Sequence, residues 1–138
     1  MESAAERWVA DQERLAKPAR VYWCDGSDGE AWRLLEIGMS EERLNGPVFQ
    51  PLDHKNWPTA YLHRSATNDV ARTEKVTFVC HPAKDASGPN NNWMEPAKAK
   101  KLMTELSDGC MAGRTMYVIP YMMGHPDSPY AKACMMIT

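Results

Sequence analysis

Three charged side chains, Asp69, Arg72 and Glu74, fall within six consecutive positions of this 138-residue chain. An arginine binds a carboxylate through two parallel charge-assisted hydrogen bonds, and its guanidinium does not give up its proton. At the end of a strand, Arg72 is suited to clamp a small carboxylate. Glu74 lies on the same side if the strand begins early, where it would orient Arg72 or answer a moving element. The plainer alternative is a solvated turn, with Arg72 and Glu74 as a surface pair worth about 0–1 kcal/mol.

Several elements must hold these residues in place. Val76–Cys80 is apolar and β-branched, and it reads as a buried strand. Thr67 or Asn68 is placed to cap one turn through Asp69–Arg72, and His81-Pro82 ends the strand. Upstream, Glu2–Ala16 reads as a helix with Ala5, Trp8, Val9, Gln12, Leu15 and Ala16 on one face. Ser3 and Glu6 have capping-box spacing, and Pro18 forbids continuation. Arg20–Cys24 reads as a strand and Asp25-Gly26 as a turn. Ser27 and Glu30 then cap a second helix with the stripe Ala31, Leu34, Leu35.

Asn45–Pro58, with three prolines and an isolated His54, reads as irregular loop, and Lys84–Asn92 as a polar loop. Glu95-Pro96 opens a third helix whose core face is Ala99, Leu102, Met103 and Leu106, with Lys98, Lys100 and Lys101 in solvent. Gly109 suits its end. Thr115–Met123 is apolar on both faces and predicts a strand covered on both sides, with a bulge or an edge at Pro120. Ala131–Ile137 predicts a last strand. The fold class expected is α/β (mixed α+β), a mixed sheet with flanking helices.

Composition narrows the function. The length suits one domain, and a net charge of -2 gives no reason to expect nucleic acid or an anionic membrane as partner. No apolar run approaches the ~20 residues of a membrane span, and the acidic N-terminus is not a signal peptide. Cys24, Cys80, Cys110 and Cys134 are widely spaced and read as reduced, buried residues of a cytosolic protein. The methionines of Met111–Met136 read as soft core filling. Phosphate-loop, nucleophile-elbow and zinc-protease motifs are all missing from the sequence, and no catalytic or metal-ligating residue is assigned in the chain.

Five stretches carry a family resemblance: Val21-Tyr-Trp-Cys-Asp-Gly-Ser27, Tyr61-Leu-His-Arg-Ser65, Asn68-Asp-Val-Ala-Arg-Thr-Glu74, Gly88-Pro-Asn-Asn-Asn-Trp-Met94, and Gly109-Cys-Met-Ala-Gly-Arg-Thr-Met-Tyr-Val-Ile-Pro-Tyr121. Together they resemble the N-terminal part of GTP-dependent phosphoenolpyruvate carboxykinase. The helix before them and Arg43–Pro58 match poorly, and His125-Pro-Asp-Ser-Pro129 departs from the family's usual Pro-Leu-Gly-Ser-Pro.

The resemblance implies that residues 1–138 are part of a substrate-binding domain. The parent enzyme, a carboxy-lyase of gluconeogenesis, turns oxaloacetate and GTP into phosphoenolpyruvate, carbon dioxide and GDP, using Mn2+ and Mg2+. Arg72 matches the arginine that holds a substrate carboxylate, and Glu74 matches an acid that couples substrate binding to lid closure. The implied metal ligands, nucleotide loop and guanine pocket lie beyond Thr138, which stops inside a strand, so the front part of a longer cytoplasmic, monomeric enzyme is expected. This chain alone should be inactive. The alternative is a non-catalytic module that binds dicarboxylates or a full-length subunit.

Overall fold

Ser3 stops the chain from entering a helix too early. Its hydroxyl accepts the Glu6 N–H at 3.1 Å, and the Glu6 carboxylate takes the Ser3 N–H at 2.6 Å. This capping box satisfies two N–H groups that the first helical turn cannot. The structure, a computed structural model, describes residues 3–40, 42–43, 46–53, 55–65 and 73–138, with the backbone alone at 42–43 and 46–47. In chain order its helices and strands are α1 (Ala4–Ala16), β1 (Arg20–Trp23), α2 (Asp28–Ser40), β2 (Glu42–Arg43), β3 (Gly46–Pro47), β4 (Gln50–Pro51), β5 (Tyr61–Leu62), β6 (Phe78–Val79), β7 (Asn92–Trp93), α3 (Pro96–Ser107), β8 (Thr115–Met123) and β9 (Lys132–Ile137). They form two compact units, Met1–Cys24 with Thr73–Thr138, and Asp25–Arg72.

The first unit is built on a mixed sheet in the order β1-β8-β9. β1 runs parallel to β8, with Val21 opposite Met116, and β9 runs antiparallel, with Ile137 opposite Val118. Side chains alternate along a strand, so Met116 and Val118 share one face. Both are fully buried against Val9 of α1, with Val21, Met111, Met135 and Ile137 around them. α1 ends at Lys17, which takes a left-handed conformation (φ 53) before Pro18. The ends of α1 and α3 are tied by Gly109 N–H to Leu15 O (2.8 Å) and by Met111 N–H to Ala16 O (3.0 Å). The Lys17 ammonium adds a 2.6 Å ion pair with Asp108. A mixed sheet with flanking helices is therefore the architecture.

Pro120 lies opposite Met135 without a bulge. Tyr117 and Thr138 exchange both backbone hydrogen bonds, so by alternation Pro120 occupies a non-bonded pair toward β9. Its nitrogen faces the β1 side, where the Cys24 N–H to Val118 O bond (2.8 Å) is the last rung described. The edge expected at Pro120 is present, on that side alone.

Four expectations are corrected. The run Val76–Cys80 is not a buried strand: Val76 closes a 3-10 turn (Glu74–Val76), and Phe78 and Val79 form a two-residue, solvent-facing strand. β8 is buried only at Met116 and Val118, on the face under α1; Thr115, Tyr117 and Ile119 on the other face are half-buried, and Pro120 to Met123 are exposed. Leu102, Met103 and Leu106 of α3 are exposed rather than core, although Ala99 is half-buried and the lysines do face solvent. All four cysteines are free, but none is buried. In each case apolar character was read correctly and its cover was not. Cover depends on which distant element lies above a face. The methionines divide likewise, with Met116 in the core and Met122, Met123 and Met136 exposed.

In the second unit, α2 begins at a capping arrangement around Ser27 and Glu30. The Glu30 N–H donates to Ser27 Oγ at 3.1 Å, as the spacing predicts. The Glu30 carboxylate reaches past Ser27, accepting Asp25 N–H (3.0 and 3.1 Å) and Gly26 N–H (2.8 Å). Glu30 is buried, and these bonds, with the Arg33 guanidinium 3.9 Å from its carboxylate, make burial of its charge tolerable. Leu34 and Leu35 are half-buried, as are Ile37 and Met39, but Ala31 is exposed, and the buried residues of α2 are Glu30 and Gly38. Gly38 sits under the Phe49 ring, where a Cβ would collide with it, and the Phe49 N–H bonds Gly38 O at 2.9 Å. The segment expected to be loop contains brief pairings, Gln50 opposite Leu62 and Pro51 opposite Tyr61. His54 and the expected cap at Thr67 or Asn68 lie outside the described residues.

Candidate functional site

Of the charged triplet, Asp69 and Arg72 lie outside the described residues, and Glu74 lies within them. Glu74 opens the Glu74–Val76 turn, on the surface, so its carboxylate is available to a partner. The turn is closed by backbone bonds from Val76 N–H to Thr73 O and Thr77 N–H to Glu74 O, both 3.2 Å. The Thr77 hydroxyl donates back to Thr73 O at 2.8 Å. From Phe78 the chain runs beside β7 in parallel register, Phe78 opposite Asn92 and Val79 opposite Trp93.

The motif Gly88–Met94 supports that segment from the side. The Asn92 amide nitrogen donates to Glu74 O at 2.7 Å and to Thr77 O at 3.3 Å. Trp93 Nε1 donates to His81 O at 2.7 Å, and Met94 N–H bonds Val79 O at 3.3 Å. Asn91 donates to Ser87 O at 2.7 Å and helps shape the loop at Gly88, whose φ of 84 suits glycine. An open hollow of about 520 Å3 lies here, lined by Lys84, Asp85, Ser87, Gly88, Asn91 and Trp93 among others, with Glu74 not among its walls. Of the three asparagines in this motif, Asn92 is the one that reaches the backbone of the Glu74 turn.

The perturbed titrations fall on caps and on one strand pair. Ser3 holds the Glu6 carboxylate below its usual range, first through its backbone N–H. The Ala97 and Lys98 N–H groups do the same for Glu95 at the start of α3. The Ser27 hydroxyl, and then its N–H, lower Asp25. Across β8 and β9, the Cys134 thiol opposite Tyr121 raises the phenol. These shifts describe helix and turn architecture. Among the described residues no group of three His, Cys, Asp or Glu could hold a metal ion. The divalent ions that the resemblance implies have no fitting donor set there.

Comparison with known proteins defines the class. Residues 7–138 match the family model described as the phosphoenolpyruvate carboxykinase N-terminal domain. The chain belongs to that family. Among its relatives, the protein named phosphoenolpyruvate carboxykinase [GTP] from Anaeromyxobacter sp. (strain K) is 47% identical over 131 residues, covering 95% of this chain and 21% of the relative. The like-named proteins of Neocallimastix frontalis and Chlamydia muridarum are 39% and 35% identical, over 95% and 99% of this chain and 21% and 22% of their own length. The chain thus spans about a fifth of the length of the curated relatives it matches. No helix among the described residues is long and apolar enough to cross a membrane.

Proposed function

We propose that this chain supplies the substrate-carboxylate lip of a GTP-dependent phosphoenolpyruvate carboxykinase, acting as part of that enzyme's N-terminal substrate-binding domain. The observation that supports this most is the family match over residues 7–138 together with relatives named for GTP. In the proposed reaction oxaloacetate loses carbon dioxide, and the electron pair of the broken C–C bond forms the enolate of pyruvate. The enolate oxygen then takes the γ-phosphoryl group of GTP, and GDP leaves. Arg72 would hold a carboxylate of oxaloacetate or phosphoenolpyruvate in a bidentate grip, fixing the substrate for in-line transfer. Glu74 would couple that occupancy to closure of the site. Closure keeps water from protonating the enolate to pyruvate.

Mn2+ and Mg2+ belong to the same reading as ions that would supply charge stabilisation in the whole enzyme, with ligands and a nucleotide site expected beyond Thr138. The reading includes a monomer in the cytoplasm.

The test uses a hybrid in which residues 1–138 replace the matching fifth of the Anaeromyxobacter sp. (strain K) protein. The hybrid is expected to convert oxaloacetate and GTP. Arg72→Ala should lower kcat/KM for oxaloacetate by about a hundredfold, the cost of removing one partner from a buried charged pair. The 138-residue chain alone should give no turnover. An Arg72→Ala hybrid with full activity would sink the assignment.

A further inference from the structure

We infer that Asn92 is a positioning residue for Glu74, and that the Gly88–Met94 motif acts as a clasp fixing where that acid stands. The inference rests on the proposed function for what Glu74 does, and on geometry for what Asn92 does.

One amide nitrogen reaches two carbonyls, Glu74 O at 2.7 Å and Thr77 O at 3.3 Å. Both partners are acceptors, so the NH2 end of the side chain must face them, and its two hydrogens match the two oxygens. These carbonyls are the first and last of the turn Glu74–Thr77. The amide therefore spans the turn and resists its opening. Eighteen residues separate Asn92 from Glu74, so this is a long-range constraint, not turn chemistry. The same motif grips the segment further along, where Trp93 Nε1 holds His81 O and Met94 N–H holds Val79 O. Glu74 thus leaves a segment fastened at both ends. Its exposed side chain starts from a fixed backbone position, which lowers the entropy lost when it meets a partner.

The test pairs two readouts. Hydrogen exchange is followed on the intact 138-residue chain, and kinetics on the hybrid enzyme. Asn92→Asp keeps the shape, removes both donors and sets an anion against two carbonyl oxygens. Exchange at the Val76 and Thr77 amides should rise roughly threefold to tenfold, the loss expected for about one net hydrogen bond, while β8 and β9 stay unchanged. Asn92→Gln, which keeps the donor, should recover part of the protection. In the hybrid, Asn92→Asp should raise KM for oxaloacetate and the share of pyruvate released by roughly threefold to tenfold with kcat nearly kept, and Asn92→Gln should lie between.

Unchanged exchange overturns the clasp. Raised exchange with wild-type kinetics shows that Asn92 holds the turn without serving the substrate, and overturns the positioning role. If instead Glu74→Gln and Arg72→Ala leave the hybrid's kinetics intact, the proposed function fails, while raised exchange still upholds Asn92's grip on the turn.

Discussion

Glu30 is the buried charge in the described part of the second unit, and the two amides of Asp25 and Gly26 answer it, with the Arg33 guanidinium 3.9 Å away. Removing the acceptor strands those amides. Glu30→Ala should therefore cost about 1–3 kcal/mol, and Glu30→Gln, which keeps one acceptor oxygen, distinctly less. Urea unfolding of the two variants checks the order. Gly38→Ala should be destabilising too, by about 1–3 kcal/mol, because the new methyl meets the Phe49 ring and one of them must move. Its partner variant, Phe49→Leu with Gly38→Ala, should recover part of the loss. Ser27 and Glu30 were legible from spacing alone. That the carboxylate would reach past Ser27 to Asp25 and Gly26 was not, because the path of a turn decides which amide points at it.

The helices carry their own pH dependence. Glu6 and Glu95 have lowered pKa values because they accept backbone N–H bonds at the starts of α1 and α3. A carboxylate whose folded pKa is depressed adds stability above its unfolded value, about 4.3, and that stability disappears as pH falls through the lower folded value. Helical circular dichroism should therefore hold from neutral pH to about pH 5 and decline below about pH 4. Glu95→Gln should flatten the part of that decline belonging to α3. If the variant's acid profile matches the wild type, the cap is not the cause. The strands are less local. The pairing of Phe78 and Val79 with Asn92 and Trp93 is two residues long, and no periodicity within Val76–Cys80 distinguishes it from a long buried strand.

At the scale of the molecule, apolar surface remains open. Leu106 is 65% exposed, Met103 61% and Met123 58%, on elements whose sequence reads as core. Such side chains favour contact with other apolar surface. The isolated chain is expected to bind a dye such as ANS, and Met103→Glu with Leu106→Glu should reduce that binding without lowering the helical signal. Equal dye binding by the double variant would place the sticky surface elsewhere.

Helix limits, caps, the strands about β8 and the family itself were all written in local patterns. Capping spacing, helical period and motif residues act through neighbours a few positions apart, so they can be read without coordinates. The candidate site was half legible. Arg72 and Glu74 stood out by charge and motif, whereas Asn92, also inside a resemblance stretch, was one of three adjacent asparagines with nothing to single it out. Tertiary structure alone chose Asn92 from those three, put α1 over one face of β8 and left the other half-covered. The physical reason is the same each time: a hydrogen bond across eighteen residues, or a face covered by a distant helix, depends on where the backbone travels and not on the residues beside it.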